Sequence, residues 1–178
     1  MKNNILLNPF AVINDRKLLL FGILTFLLGI YIAFSMQVSL QILRMDPLGE
    51  ITFENVFINH SLIVIFLTSS FFALGKIINK KTRFIDILNT SFIALIPVYI
   101  SLFQNINGFL SKEVNAILSA IENGKIYETT PPILFLIVSL LGLVFFIYYI
   151  YLLFIGFKTE KKKKKAWHYV AFFATLII

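Results

Sequence analysis

Residues 133–154, ILFLIVSLLGLVFFIYYIYLLF, decide the fold class. They form 22 consecutive positions without a charged side chain. At about 1.5 Å per residue, a helix of this length crosses the roughly 30 Å hydrocarbon core of a bilayer. Polar and apolar residues do not alternate along the stretch, as the strands of a membrane barrel would require. The stretch therefore predicts a transmembrane helix.

The rest of the chain has the same character, with 58% apolar and 14% charged residues among 178 and a mean hydropathy of +0.87. The predicted spans cover residues 18–35, 61–78, 84–103, 133–157 and 166–178. The fifth reaches only about 20 Å. We expect the natural chain to continue past Ile178; the alternative is a last helix that dips into the membrane without crossing. The prediction is an all-α polytopic bundle, with one transmembrane domain at 18–178 behind an amino-terminal arm at 1–17.

Orientation follows from the cations, because Lys and Arg are retained on the cytoplasmic side during insertion. Thirteen of the 16 Lys and Arg residues fall in the arm, in the connection between the second and third spans, and in the connection between the fourth and fifth. The sequence therefore predicts a cytoplasmic amino terminus. The simple arm and the lack of sorting signals indicate a bacterial inner membrane.

A short amphipathic helix is predicted on the outer membrane surface. Its apolar residues recur at helical spacing: Leu110, Val114, Ile117, Leu118 and Ile121. Ser111 is expected to cap its start, and Asn123-Gly124 to end it.

Composition also excludes several functions. The chain has no cysteine, which removes disulfides and thiolate chemistry. Its cations stand between apolar runs rather than over a folded polar surface, so no nucleic-acid partner is predicted. His60 and His168, the two histidines, fall on opposite sides of the predicted topology, and no nucleophile elbow or phosphate-binding glycine loop occurs. We therefore predict no enzyme activity, no metal and no cofactor.

Asp86 is the acidic residue predicted to lie within a span, and intramembrane charges invite a functional hypothesis. A polar stripe follows it along the third span: Asn89, Thr90, Pro97, Ser101 and Gln104. Such a stripe could line a proton or ion path. The favoured alternative places Asp86 at the head-group level, near Arg83 or a lysine of the preceding loop, with Asn89 and Ser101 hydrogen-bonded to neighbouring helices.

Small residues at four-residue spacing let membrane helices approach closely. Thr25, Gly29 and Ala33 form such a stripe on the first span, and shorter versions are Ser69 with Ala73 and Thr90 with Ala94. They predict packing faces within the bundle or a homo-oligomer.

The lysine run Lys161, Lys162, Lys163, Lys164 and Lys165 precedes the fifth span. It could attract anionic lipids at about 1 kcal/mol per cation near the surface. Its alternative role, which we favour, is to hold this connection in the cytoplasm.

Three further motifs carry a family resemblance. Asn8-Pro9-Phe10 precedes the first span, and Ser91-Phe92 is followed by Pro97 in the third. Between the fourth and fifth spans, Ile155-Gly156-Phe157-Lys158 is followed by a short basic loop and then by Ala166-Trp167. Together they resemble the Yip domain family, five-pass membrane proteins named for interaction with Ypt and Rab GTPases. Ser91-Phe92 stands where the family usually has Gly-Tyr. The resemblance implies a five-span helical fold of the short bacterial type, which has no assigned activity.

Two functions remain open on these grounds. The first is a non-enzymatic protein that organises the membrane or recruits a partner through its basic face. The second is a small transporter or channel component that uses the polar stripe. A water-accessible cavity reaching Asp86, Asn89 and Ser101 would favour transport, whereas a dry bundle would favour the organiser.

Overall fold

The computed structural model of the protein describes residues 5–40, 45–46, 51–124 and 130–159. Its helices are α1 (Pro9–Val12), α2 (Asp15–Ser35), α3 (Phe53–Ile78), α4 (Phe84–Ala94), α5 (Ile96–Ser101), a 3₁₀ segment (Leu102–Gly108), α6 (Phe109–Glu122) and α7 (Ile133–Thr159). Two-residue strands, β1 (Ser39–Leu40) and β2 (Met45–Asp46), pair antiparallel between α2 and α3.

Four stretches of the described chain are long and apolar enough to cross a membrane. They are Asp15–Ser35, Phe53–Ile78, Phe84–Glu122 and Ile133–Lys158. The all-α, multi-pass prediction is confirmed to this extent. The predicted fifth span, residues 166–178, lies outside the described residues, as does the lysine run before it.

The second span begins earlier than its hydropathy suggests. Helix α3 starts at Phe53, where the Thr52 hydroxyl accepts a hydrogen bond from the backbone N–H of Asn55 at 3.2 Å. The predicted span began at Ser61. Polar residues such as Asn59 lower the local hydropathy, so the pattern did not reveal the true start of the helix. The Asn59 side chain has a partner within the protein, because it donates to the Ser39 hydroxyl at 2.9 Å.

The third span is broken in its middle. Helix α4 ends at Ala94 and α5 starts at Ile96, with Pro97 in its first turn. Proline has no backbone N–H and cannot bond the carbonyl four residues before it, so the predicted uninterrupted helix over 84–103 divides here.

The chain turns out of the third span through the 3₁₀ segment. Asn107 and Gly108 take left-handed backbone conformations with φ of 54° and 70°, and they redirect the chain into α6. Helix α6 ends where Asn123-Gly124 predicted. Ser111, however, is not its cap, because the helix starts at Phe109 and Ser111 bonds back to the Asn105 side chain through its N–H and hydroxyl.

The third span is the centre of the bundle. Within its most apolar stretch 61% of the residues are buried, compared with 28% in α2, 39% in α3 and 6% in α7. Helices α2, α3 and α7 therefore surround α4 and α5, and α7 presents most of its surface outward.

Glycines of α2 allow two aromatic rings of the third span to approach its backbone. A Cβ atom placed on Gly22 would stand 2.7 Å from the Cβ of Phe92, and one on Gly29 would stand 2.5 Å from the ring of Tyr99. Seven residues separate the glycines and seven separate the rings, so both contacts fit one parallel register of the two spans.

Helix α7 meets the other side of the third span in the same way. A Cβ on Gly142 would stand 2.8 Å from the amide of Gln104, and one on Gly156 would overlap Thr90. The two glycines are as far apart in the sequence as Gln104 and Thr90 are, but the residue numbers run in opposite directions along the two helices, as an antiparallel pair requires.

We predict that Gly22→Ala destabilises the protein by about 1–3 kcal/mol, the usual cost of overpacking a close contact. The nearest atom is the Cβ of Phe92, which cannot move without its backbone. Leu24→Ala, at an outward-facing position of the same helix, is the control and should have a smaller effect. Thermal unfolding in detergent, followed by circular dichroism, compares the two. Equal unfolding midpoints would contradict the prediction.

Candidate functional site

One end of the bundle gathers the cations of three chain segments. The start of α2, the connection from α3 to α4 and the end of α7 all lie there, since Arg83 contacts Asp15 and a shared pocket includes Gly156. The described cations at this end are Arg16, Lys17, Lys76, Lys80, Lys81, Arg83 and Lys158. We call this surface the basic face. All of these side chains except Lys158 are exposed.

Arg83 joins α2 to α4 at the basic face. Its Nε and Nη2 atoms donate to the two carboxylate oxygens of Asp86 at 2.6 Å each, and Nη2 also donates to Asp15 at 2.9 Å. These hydrogen bonds, the one to Asp86 above all, raise the pKa of Arg83 above its ordinary value. Asp86 is 12% exposed and Arg83 62%, so the pair brings a nearly buried carboxylate and a solvated cation together.

A pocket of about 170 Å³ opens beside this cluster. It is lined by Phe10, Asp15, Leu18, Arg83, Asp86, Asn89, Thr90 and Gly156. At its wall the buried Asn89 donates from Nδ2 to the backbone carbonyl of Asp15 at 3.1 Å. The hydroxyl of Thr90 bonds to the backbone carbonyl of Asp86 at 2.8 Å. Asn89 Oδ1 is buried and has no partner among the described residues.

The structure divides the predicted polar stripe. Asp86 and Asn89 line the pocket, whereas Pro97 and Ser101 do not. Between the two halves stand the buried apolar residues Ile93, Ala94 and Leu95. The Ser101 hydroxyl donates to the carbonyl of Val98 at 2.7 Å, within its own helix. The stripe is therefore two separate polar positions on one broken span.

Two of the three residues in the predicted small-residue stripe of α2 are buried, and the third is half-buried. Gly29 is buried against Tyr99 of the third span, and Ala33 is buried as well. Thr25 is half-buried, and its hydroxyl donates to the carbonyls of Phe21 and Gly22 at 3.0 Å. Thr25 and Gly29 also line an apolar groove of about 470 Å³ between α2 and α5, with Tyr99 at its wall.

A second group of polar side chains, for which no function was predicted from the sequence, lies inside the bundle. His60 is 1% exposed, its Nδ1 lies 2.8 Å from the carbonyl of Val56, and its ring stacks on Tyr99 with centroids 5.8 Å apart. His60 Nε2 and the hydroxyls of Tyr99 and Tyr149 are buried without partners in the described residues. Because the predicted span began at Ser61, His60 was assigned to a loop. The earlier helix start is what brings it inside.

Helices α3 and α4 are joined by a buried hydrogen bond. The Thr68 hydroxyl donates to the Ser91 hydroxyl at 3.0 Å, and Ser91 in turn donates to the carbonyl of Ile87 at 3.1 Å. Each hydroxyl thus has its partner inside the protein. Ser91 and Phe92 form one of the motifs that carry the family resemblance. Ser91 contacts α3, and Phe92 contacts α2.

The described residues offer no group of acidic or histidine side chains that could hold a metal ion. Within residues 5–40, 51–124 and 130–159, no three His, Asp or Glu side chains stand close enough together to hold a metal ion. Asp86 and Asp15 are both engaged by Arg83. The interaction that this end offers is electrostatic: exposed cations surround one cluster in which Arg83 pairs with Asp15 and Asp86.

Three apolar spans packed around a central broken one define a multi-pass helical membrane protein. The model of the Yip1 domain matches residues 4–178, essentially the whole chain, so the protein belongs to the Yip1 domain family. This confirms the resemblance seen in the motifs. The family is in general not one of enzymes. Comparisons with curated proteins and with solved structures returned no match.

We predict that Arg83→Gln lowers stability by about 1 kcal/mol, because it leaves the nearly buried Asp86 carboxylate without its charged partner. Adding Asp86→Asn to that variant should recover most of the loss. Lys80→Gln, which removes an exposed cation nearby, serves as the control. Thermal unfolding in detergent measures all three, and an additive double variant would contradict the assigned pairing.

Proposed function

We propose that this Yip1 domain protein is a non-enzymatic membrane organiser that recruits a protein partner or anionic lipid through its basic face. The observation that supports this most directly is the burial of the third span together with the exposure of the cations of the basic face, which are available to a partner. Helices α2 and α7 contact the third span through glycines, and the Ser91 hydroxyl of that span forms a hydrogen bond within the bundle.

We place the basic face in the cytoplasm, most simply at a bacterial inner membrane. The reason is the retention of Lys and Arg on the cytoplasmic side during insertion. The arm, the α3–α4 connection and the end of α7 contribute cations to this one end, as a single orientation requires. Lys161 to Lys165 follow α7 directly in the sequence and would add to the same charge.

The transport alternative has no comparable support. A path along the third span would need polar groups that continue from Asp86 to Ser101. The pocket instead includes Asp86, Asn89 and Thr90, and buried apolar residues follow them. Asp86 is held by Arg83 at 2.6 Å, which keeps its charge neutralised in place.

Lipid recruitment predicts a defined charge dependence. In nanodiscs of mixed anionic and zwitterionic lipid, the protein should enrich anionic lipid around itself. Replacing Lys161 to Lys165 by Gln should reduce that enrichment several-fold, since each cation contributes about 1 kcal/mol near the surface. Replacing the same five by Arg keeps the charge and should keep the enrichment. Lipid analysis of the recovered nanodiscs measures their anionic lipid content for each variant. Equal enrichment in the Gln and Arg variants would remove the lipid part of the proposal.

Partner recruitment predicts site-specific crosslinks from the basic face. A photoreactive amino acid at Lys81 should capture a recurring protein in vivo, either a distinct partner or a second copy of the chain. The same group at Lys112, on the first turn of α6 at the opposite end, should not capture it. Mass spectrometry identifies the product, and neutralising Lys76 and Lys80 should reduce its yield. If position 81 yields nothing beyond position 112, the recruiting role loses its basis.

A further inference from the structure

The amino-terminal arm contacts the fourth span instead of extending away from the bundle. We call residues 5–13, ILLNPFAVI, the arm segment; it contains no charged residue. The hydroxyl of Tyr148 donates to the backbone carbonyl of Leu6 at 2.6 Å, and that of Tyr151 donates to the carbonyl of Leu7 at 3.0 Å. Two tyrosines one turn apart on α7 thus bind two successive carbonyls of the arm.

The depth of these contacts follows from the helix geometry. Tyr148 and Tyr151 precede Lys158 by ten and seven residues, which is about 15 and 10 Å along the axis. Lysine near the end of a span keeps its ammonium in the head-group region. Long side chains in a helix lean toward its amino terminus, which on α7 is away from Lys158. The carbonyls of Leu6 and Leu7 therefore lie well inside the head-group level.

The path of the arm agrees with this depth. Phe10 lies at the pocket with Asp15 and Gly156, near the end of α7. Leu7 is at Tyr151 and Leu6 at Tyr148, each further along the span. Followed backward from α2, the arm returns beside α7 toward the middle of the membrane.

The side chains of the arm match a hydrocarbon environment. Ile5, Leu6 and Leu7 are 50%, 68% and 52% exposed on the protein surface, and Val12 is exposed as well. The Asn8 side chain is engaged locally, where it accepts from the backbone N–H of Ala11 at 3.3 Å. Exposed leucines are unfavourable in water and favourable among acyl chains.

Backbone groups in hydrocarbon need hydrogen-bond partners, since an unsatisfied one costs several kcal/mol. A tyrosine hydroxyl on an apolar span has the same need. The contacts of Tyr148 and Tyr151 meet both requirements at once. We propose that the arm segment is a re-entrant, membrane-embedded element: the two tyrosines hold its backbone, and its apolar side chains contact lipid acyl chains.

The absence of cysteine from the native chain makes this directly testable by single substitutions. The full chain carrying Leu6→Cys is reconstituted in lipid vesicles and spin-labelled, and its collision rates with oxygen and with a water-soluble nickel chelate are measured. Leu140→Cys, on the exposed surface of α7, is the lipid reference, and Lys80→Cys is the aqueous reference. We expect position 6 to resemble position 140, with high oxygen and low nickel accessibility. Nickel accessibility equal to that of position 80 would overturn the proposal, and so would low accessibility to both reagents.

The tyrosines are tested in the same labelled chain. Tyr148→Phe with Tyr151→Phe removes both donors while keeping the rings, and it should raise nickel accessibility at position 6 at least several-fold. Tyr31→Phe, on the exposed face of α2, is the matched control and should leave it unchanged. If the double variant leaves position 6 as it was, the tyrosines do not hold the arm. Circular dichroism of each variant shows whether the bundle is intact.

Discussion

Close approach of the neighbouring helices to the third span is the constraint on which the rest of this structure depends. Lipid is as apolar as the side chains, so spans gain little from hiding them and associate through tight packing and internal hydrogen bonds. Gly22 of α2 and Gly156 of α7 supply the space, and Phe92 and Thr90 of the third span fill it from opposite sides. A residue with a side chain at either glycine would separate the helices that bury the centre.

This packing determines where polar groups can lie. Once the third span is enclosed, a hydroxyl or amide on it needs a partner within the protein. Ser91 finds Thr68 across the contact with α3, and Asp86 finds Arg83 where the bundle meets its basic face. Ser91 and Asp86 therefore contribute to the contacts that hold the span against its neighbours. The buried Ala94 lies between Asn89 and Ser101, so the polar positions of the span are not continuous.

Hydropathy predicted the four spans because their length and composition are local properties. It misplaced the start of α3 because Asn59 and His60 lower the local average, although both face inward and find contacts there. The favoured alternative had Asp86 near Arg83 or a lysine of the preceding loop, and in the structure Asp86 pairs with Arg83, three residues before it. The ring that faces each glycine could not be predicted, because a single sequence does not specify the rotation of one helix against another. The predicted fifth span and the lysine run stay predictions.

The two surfaces left by this packing differ in kind, and they meet at the arm. The basic face is charged and exposed, whereas α7 is the least buried span and presents aliphatic side chains along most of its length. Phe10 lies at the pocket of the first surface, while Leu6 is bonded to Tyr148 on the second. A charged partner at one surface and lipid at the other would therefore act on the same short segment. This gives a physical reason why the protein could respond to the membrane around it.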